Sequence, residues 1–186
     1  MRSDSTGSGS GVNPVRSPTK SEAQQGVGLN ALSAHESTLT LSKNMKSDDA
    51  SWHYGGDFPS DLPSDAGATH IGMFAAWCVL NGLAGSLHIE DLPEDLEDLK
   101  NREITPGDWL RRACDEKFTD EDLNEEGNRF ASQYYAPEDA PYLADYEQAL
   151  LDSLPSLYHV SDSWESYDRL APFLRDRFEA CRKGDG

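Results

Sequence analysis

AGATHIGMFAAWCVLN, residues Ala66–Asn81, runs sixteen positions without a charged side chain and is closed by Gly82. At helical spacing, Ile71, Phe74, Ala75, Cys78 and Val79 cover one side, and His70, Met73, Trp77 and Leu80 cover another. A helix that is apolar nearly all round is a buried one. Ser64 or Asp65 stands ready to cap its first turn, and Gly82 suits the left-handed residue that ends helices. The stretch therefore predicts a central helix over 66–81. Gly67 and Gly72 lie on it and point to another element packed closely against it. The uncharged run continues to Ile89, but its glycines, histidines and Asn81 keep the apolar part far below the roughly 20 residues of a membrane span.

Helix signals repeat downstream. Pro93 opens a short helix with Leu92, Leu96 and Leu99 inward, and Thr105-Pro106 caps another carrying Trp109, Leu110, Ala113 and Cys114. Thr119 and Asp122 form a capping box ahead of Leu123, Phe130, Ala131 and Tyr134. Tyr142 to Leu154 gives a further helix, stopped by Pro155. In the last one, Trp164, Tyr167, Ala171, Leu174, Phe178 and Cys181 form a coiled-coil-like seam. Pro172 inside it predicts a kink or two abutting helices. Leu157–Val160 is the one strand-like run, with nothing obvious to pair with.

Upstream of the central helix, Trp52–Pro63 is an aromatic loop broken by two Gly and two Pro. Residues 1–50 contain no Trp, Tyr or Phe and are rich in Ser, Gly and Thr. Such a composition does not bury enough apolar surface to offset backbone ordering. The expected architecture is all-α: a compact orthogonal bundle of about five to six helices over residues 51–186, behind a disordered low-complexity tail at 1–50.

The net charge of −18 belongs to the domain, because the tail's five Lys/Arg match its five acids. This field repels nucleic acid and anionic membranes and favours basic partners, although acidity also simply keeps a small protein in solution. Three widely spaced cysteines, Cys78, Cys114 and Cys181, give no disulfide framework, and no signal-peptide core begins the chain, so a cytoplasmic setting is expected.

Motifs for chemistry are thin. His35, His53, His70, His88 and His159 show no paired ligand spacing, so no metal or other cofactor is expected. Asp120, Asp122, Asn124 and Glu126 alternate like a calcium loop, but Glu125 replaces its glycine and Ala131 its closing glutamate. His70 and Cys78 are about 12 Å apart along one helix, too far to pair within it. No hydrolase, metalloprotease or phosphate-loop motif occurs. Two acidic runs, Glu90–Asp98 and Asp115–Glu126, could instead form one electronegative face or an ordinary solvated surface.

The order G-D-F-P (Gly56–Pro59), A-G-A-T-H-I-G-M-F-A-A-W (Ala66–Trp77), D-E-K-F (Asp115–Phe118), D-L-N-E-E-G-N-R-F (Asp122–Phe130) and L-Y-H-V-S-D-S-W (Leu157–Trp164) resembles an uncharacterised family of small acidic bacterial proteins. That resemblance carries no assigned activity and transfers no catalytic residue. The resulting expectation is an acidic module, immunity-like by analogy, that binds a basic protein such as a toxin through Glu94, Asp95, Glu97, Asp98, Asp120, Glu121, Glu125 and Glu126. The alternatives are a small enzyme with a pocket around His70, Trp77, Tyr158 and His159, and a structural protein.

Overall fold

The computed structural model describes residues 46–54, 58–137, 139 and 141–184. The chain is mainly helical, with six α-helices and one two-stranded sheet among the described residues. In order these are β1 (Lys46–Asp49), α1 (Thr69–Cys78), α2 (Pro93–Lys100), α3 (Pro106–Ala113), β2 (Lys117–Thr119), α4 (Glu125–Tyr134), α5 (Pro141–Leu150) and α6 (Trp164–Gly184).

All ten residues of α1 are buried, as its all-round apolar sequence requires. A 3-10 stretch, Ser64–Ala68, leads into it, and a π-type turn, Val79–Leu83, leads out. The exit turns on Gly82, whose φ of +82° an L side chain rarely adopts. α3 lies against α1 so closely that a Cβ on Gly72 would fall 2.5 Å from the Pro106 carbonyl oxygen. Gly67 admits the ring of Tyr54 in the same way. Around α1 the core is largely aromatic: the Phe74 ring packs against Phe118, Phe130, Tyr135 and Tyr142.

The α3 cap arises differently from its sequence signature. Thr105 occupies the N-cap position, but its side chain makes no cap bond and donates to Asp162. Asp162 also accepts from the amides of Gly107, at 2.9 Å, and Asp108, at 3.2 Å. A carboxylate 55 residues along the chain therefore satisfies the helix start.

Four sequence expectations shift in detail. The fold begins inside the expected tail: Lys46–Asp49 pairs antiparallel with Lys117–Thr119, and Ala50 is fully buried. The rest of that tail lies outside the described residues. Leu157–His159 is a 3-10 turn, not a strand. The capping box at Thr119 and Asp122 forms, but it opens one 3-10 turn; α4 starts at Glu125 under its own cap, Asn124, which accepts from the Gly127 amide. Finally, α6 runs through Pro172 as one 21-residue helix in place of two abutting ones, with the proline exposed.

Candidate functional site

The acids picked out by the sequence lie outside, but not all are available. Arg112 of α3 meets both Asp95, at 2.5 Å, and Asp98, at 2.9 Å, and Arg182 meets Glu126 at 3.2 Å. Glu97 accepts a bond from Asn101. Glu94, Glu121 and Glu125 make no ion pair among the described residues. The turn Leu87–Asp91 packs against both α2 and the Asp120–Asp122 turn, which brings the two acidic runs together. Where they meet, Asp91, Asp120, Glu121 and Asn124 line a groove of about 460 Å³ that has no basic residue among the described residues of its wall.

Of the four expected pocket residues, two line a common groove. Tyr158 and His159 line a surface groove with Asp162, Thr105 and Arg111. His159 is held by the Ser156 hydroxyl, at 2.9 Å, and lies 3.5 Å from Asp61. Trp77 is two turns further along α1, with its ring against Phe130 and Phe178. His70 is buried beside Tyr158, their ring centroids 6.1 Å apart.

One grouping of chemical side chains has no signature in the sequence. Asp48 comes from β1, His53 from the short helical turn Ala50–His53, and His70 from α1. The His53 ring bridges two partners: Nε2 lies 3.2 Å from Asp48 Oδ1, and Nδ1 lies 2.9 Å from the Tyr158 hydroxyl. The Tyr135 hydroxyl donates to Asp48 Oδ2, and the Asp49 amide donates to Oδ1 at 2.7 Å. His70 stacks edge-on to His53 with centroids 4.6 Å apart, and its Nε2 is 4.0 Å from Asp48 Oδ2, beyond hydrogen-bond reach. Its Nδ1 is buried without a hydrogen-bond partner among the described residues.

Charge follows from this packing. Burial raises the Asp48 carboxyl pKa, but bonds from His53 and Tyr135 and the adjacent imidazoles outweigh burial and leave it below the ordinary value. Burial, with His53 nearby, pushes His70 down to about 3 against the pull of Asp48, so the ring is neutral at physiological pH. Burial and the Asp48 charge raise the Tyr158 phenol.

A second buried group joins His88, Cys114 and Asp122. His88 Nε2 is 3.0 Å from Asp122 Oδ1, while Oδ2 accepts from the Thr119 amide and hydroxyl. Burial, then the Asp122 charge and hydrogen bond, raise the Cys114 thiol well above its usual range. With both carboxylate oxygens engaged, this group acts as a clamp on the 3-10 turn.

A family profile matches residues 46–160, more than half of the chain. The chain belongs to the family described as Domain of unknown function (DUF7832). The DUF7832 region starts at β1 and contains Asp48, His53, His70, Tyr135 and Tyr158, together with both acidic runs; α6 lies beyond it. The motif order in the sequence is thus that of a family whose description assigns no activity. No curated protein and no solved structure matches the chain. No helix among the described residues is long and apolar enough to cross a membrane.

Proposed function

We propose that this DUF7832 domain is an acidic protein-binding module, immunity-like in kind, which receives a basic protein partner such as a toxin. The observation that carries the reading is the groove where Asp91 and Glu121 converge, with no base among the described residues of its wall. Exposed Glu94 and Glu125 on the adjoining helices extend its field. A Lys or Arg side chain entering there meets several carboxylates at once, and a field of one sign speeds encounter with a basic surface. Asp95, Asp98 and Glu126 contribute less, because Arg112 and Arg182 already meet them.

The test is affinity capture at low salt from cells of the source type, using the wild-type chain and a D91N/E94Q/E121Q/E125Q variant. A basic protein retained by the wild type, released by salt and lost from the variant supports the module. Equal retention by the variant, or no capture at low salt, ends it.

A second reading, a small enzyme, is favoured by the hydrogen-bonded run Asp48–His53–Tyr158, a donor–acceptor chain of the type used in acid–base chemistry. A fragment soak that seats ligands within hydrogen-bond reach of Tyr158 would support it, and fragments bound solely elsewhere would count against it.

A further inference from the structure

We propose that Asp48, His53 and His70 form a binding site for a first-row divalent cation, with zinc the best fit to two imidazoles and one carboxylate. The inference does not rest on the partner-binding reading. One ligand atom from each of the three residues lies within 4.8 Å of the others. Donor atoms around tetrahedral zinc stand about 3.3 Å apart, given metal–ligand bonds near 2 Å. The imidazole–carboxylate separations here, 3.2 Å from His53 to Oδ1 and 4.0 Å from His70 to Oδ2, lie on either side of that spacing.

The surroundings are those of ligands held in place. Tyr135 fixes one oxygen of Asp48, and Tyr158 fixes the far nitrogen of His53, as outer partners orient the ligands of metal sites. In the metal-free chain the His53 Nε2 proton faces Asp48, so Tyr158 donates to Nδ1. With a cation on Nε2, the proton moves to Nδ1 and Tyr158 accepts it. His70 supplies the independent sign of a missing ligand. Its ring is 1 % exposed, its Nδ1 has no hydrogen-bond partner among the described residues, and its Nε2 faces Asp48 across 4.0 Å, too far for a bond. A buried polar ring without hydrogen bonds is costly, and a cation between Nε2 and Asp48 would give that nitrogen the partner that the 4.0 Å gap denies it. The partly open Asp48 and His53 side chains, 15 % and 22 % exposed, give the ion an entry path. Three protein ligands leave a further coordination position for water or another donor. The His88–Cys114–Asp122 group is a poorer host, because the His88 and Asp122 side chains, 0 % and 3 % exposed, open no path for an ion.

The test uses the full chain after chelator treatment, titrated with Zn²⁺ by calorimetry and with Co²⁺ followed by visible absorption. The expected result is one ion per chain, a Co²⁺ spectrum without thiolate charge transfer, and zinc-induced shifts of the His53 and His70 ring resonances in the wild type. D48N and H53N should each weaken zinc binding by about 100-fold or more, beyond the roughly 10–100-fold that outer-shell partners carry. C114S should bind as the wild type does. The ring resonances keep the test decisive if either ligand variant folds poorly. The proposal is overturned if Zn²⁺ fails to bind stoichiometrically, if binding leaves both rings unshifted, or if C114S abolishes binding while H53N retains it.

Discussion

Replacing Gly72 with alanine probes the contact that seats α3 on the central helix. An added Cβ would sit 2.5 Å from the Pro106 carbonyl oxygen, 2.7 Å from its carbonyl carbon and 2.8 Å from the Gly107 Cα. Ordinary contact begins near 3.4 Å, so each approach is short by 0.6 to 0.9 Å. A crowded side chain could rotate aside, but these are backbone atoms and move only with α3. Relief means lifting that helix by most of an ångström, away from a surface sealed by Trp109 and Leu110. Overpacking costs about 1–3 kcal/mol, and rigid neighbours place this site near the top of that range. Better helix propensity returns about 1 kcal/mol, leaving a net loss of about 2 kcal/mol. For a folded unit of this size, that lowers Tm by about 8 °C. Thermal melts followed by circular dichroism would measure it, with G184A as the neutral control because nothing lies within 4 Å of that position. G72A melting at or above the wild-type temperature would refute the backbone contact.

Two further outcomes follow from the polar framework. D162A removes the acceptor shared by Thr105 and the Gly107 and Asp108 amides. It should cost about 1–2 kcal/mol, seen as a lower urea midpoint at unchanged slope, and an unmoved midpoint would show that water caps α3 equally well. Arg177 holds the Asp145 carboxyl below its ordinary value of 3.8, against burial and with help from the Tyr134 hydroxyl. Because the folded pKa is depressed, this stabilisation is complete above the unfolded value and disappears as pH falls through the folded one. Denaturant midpoints should therefore drop below about pH 4, less steeply in D145N; identical acid limbs would assign the loss to other carboxylates.

Local chemistry wrote most of the helices plainly. α1 was legible because no face of it is polar, and α2 and α3 because Pro93 and Pro106 stand at their first positions. What escaped depends on distance along the chain. Lys46-Ser-Asp-Asp49 has no apolar alternation, and it is a strand solely because Lys117–Thr119 pairs with it about seventy residues later. Tyr158 and His159 drew notice as sequence neighbours, yet Tyr158 bonds His53, and His159 turns to Ser156. Asp48, His53 and His70 have no short-range spacing to betray them, and Asp48 stood in a segment whose composition reads as tail. The one available hint was a histidine embedded in an otherwise apolar helix. The acidic runs were legible as charge, but the Arg112 clasp on Asp95 and Asp98 was not, since it needs α2 and α3 side by side.

β1 has a consequence for how the Asp48 group behaves over time. A two-stranded ribbon is marginal by itself, and this one joins segments far apart in the chain, so it closes late and opens early. Fraying of those few amides would carry the carboxylate away from both imidazoles while the aromatic interior stays shut. Whatever occupies that group then draws on a local opening equilibrium, and its bound lifetime is set at the edge of the sheet.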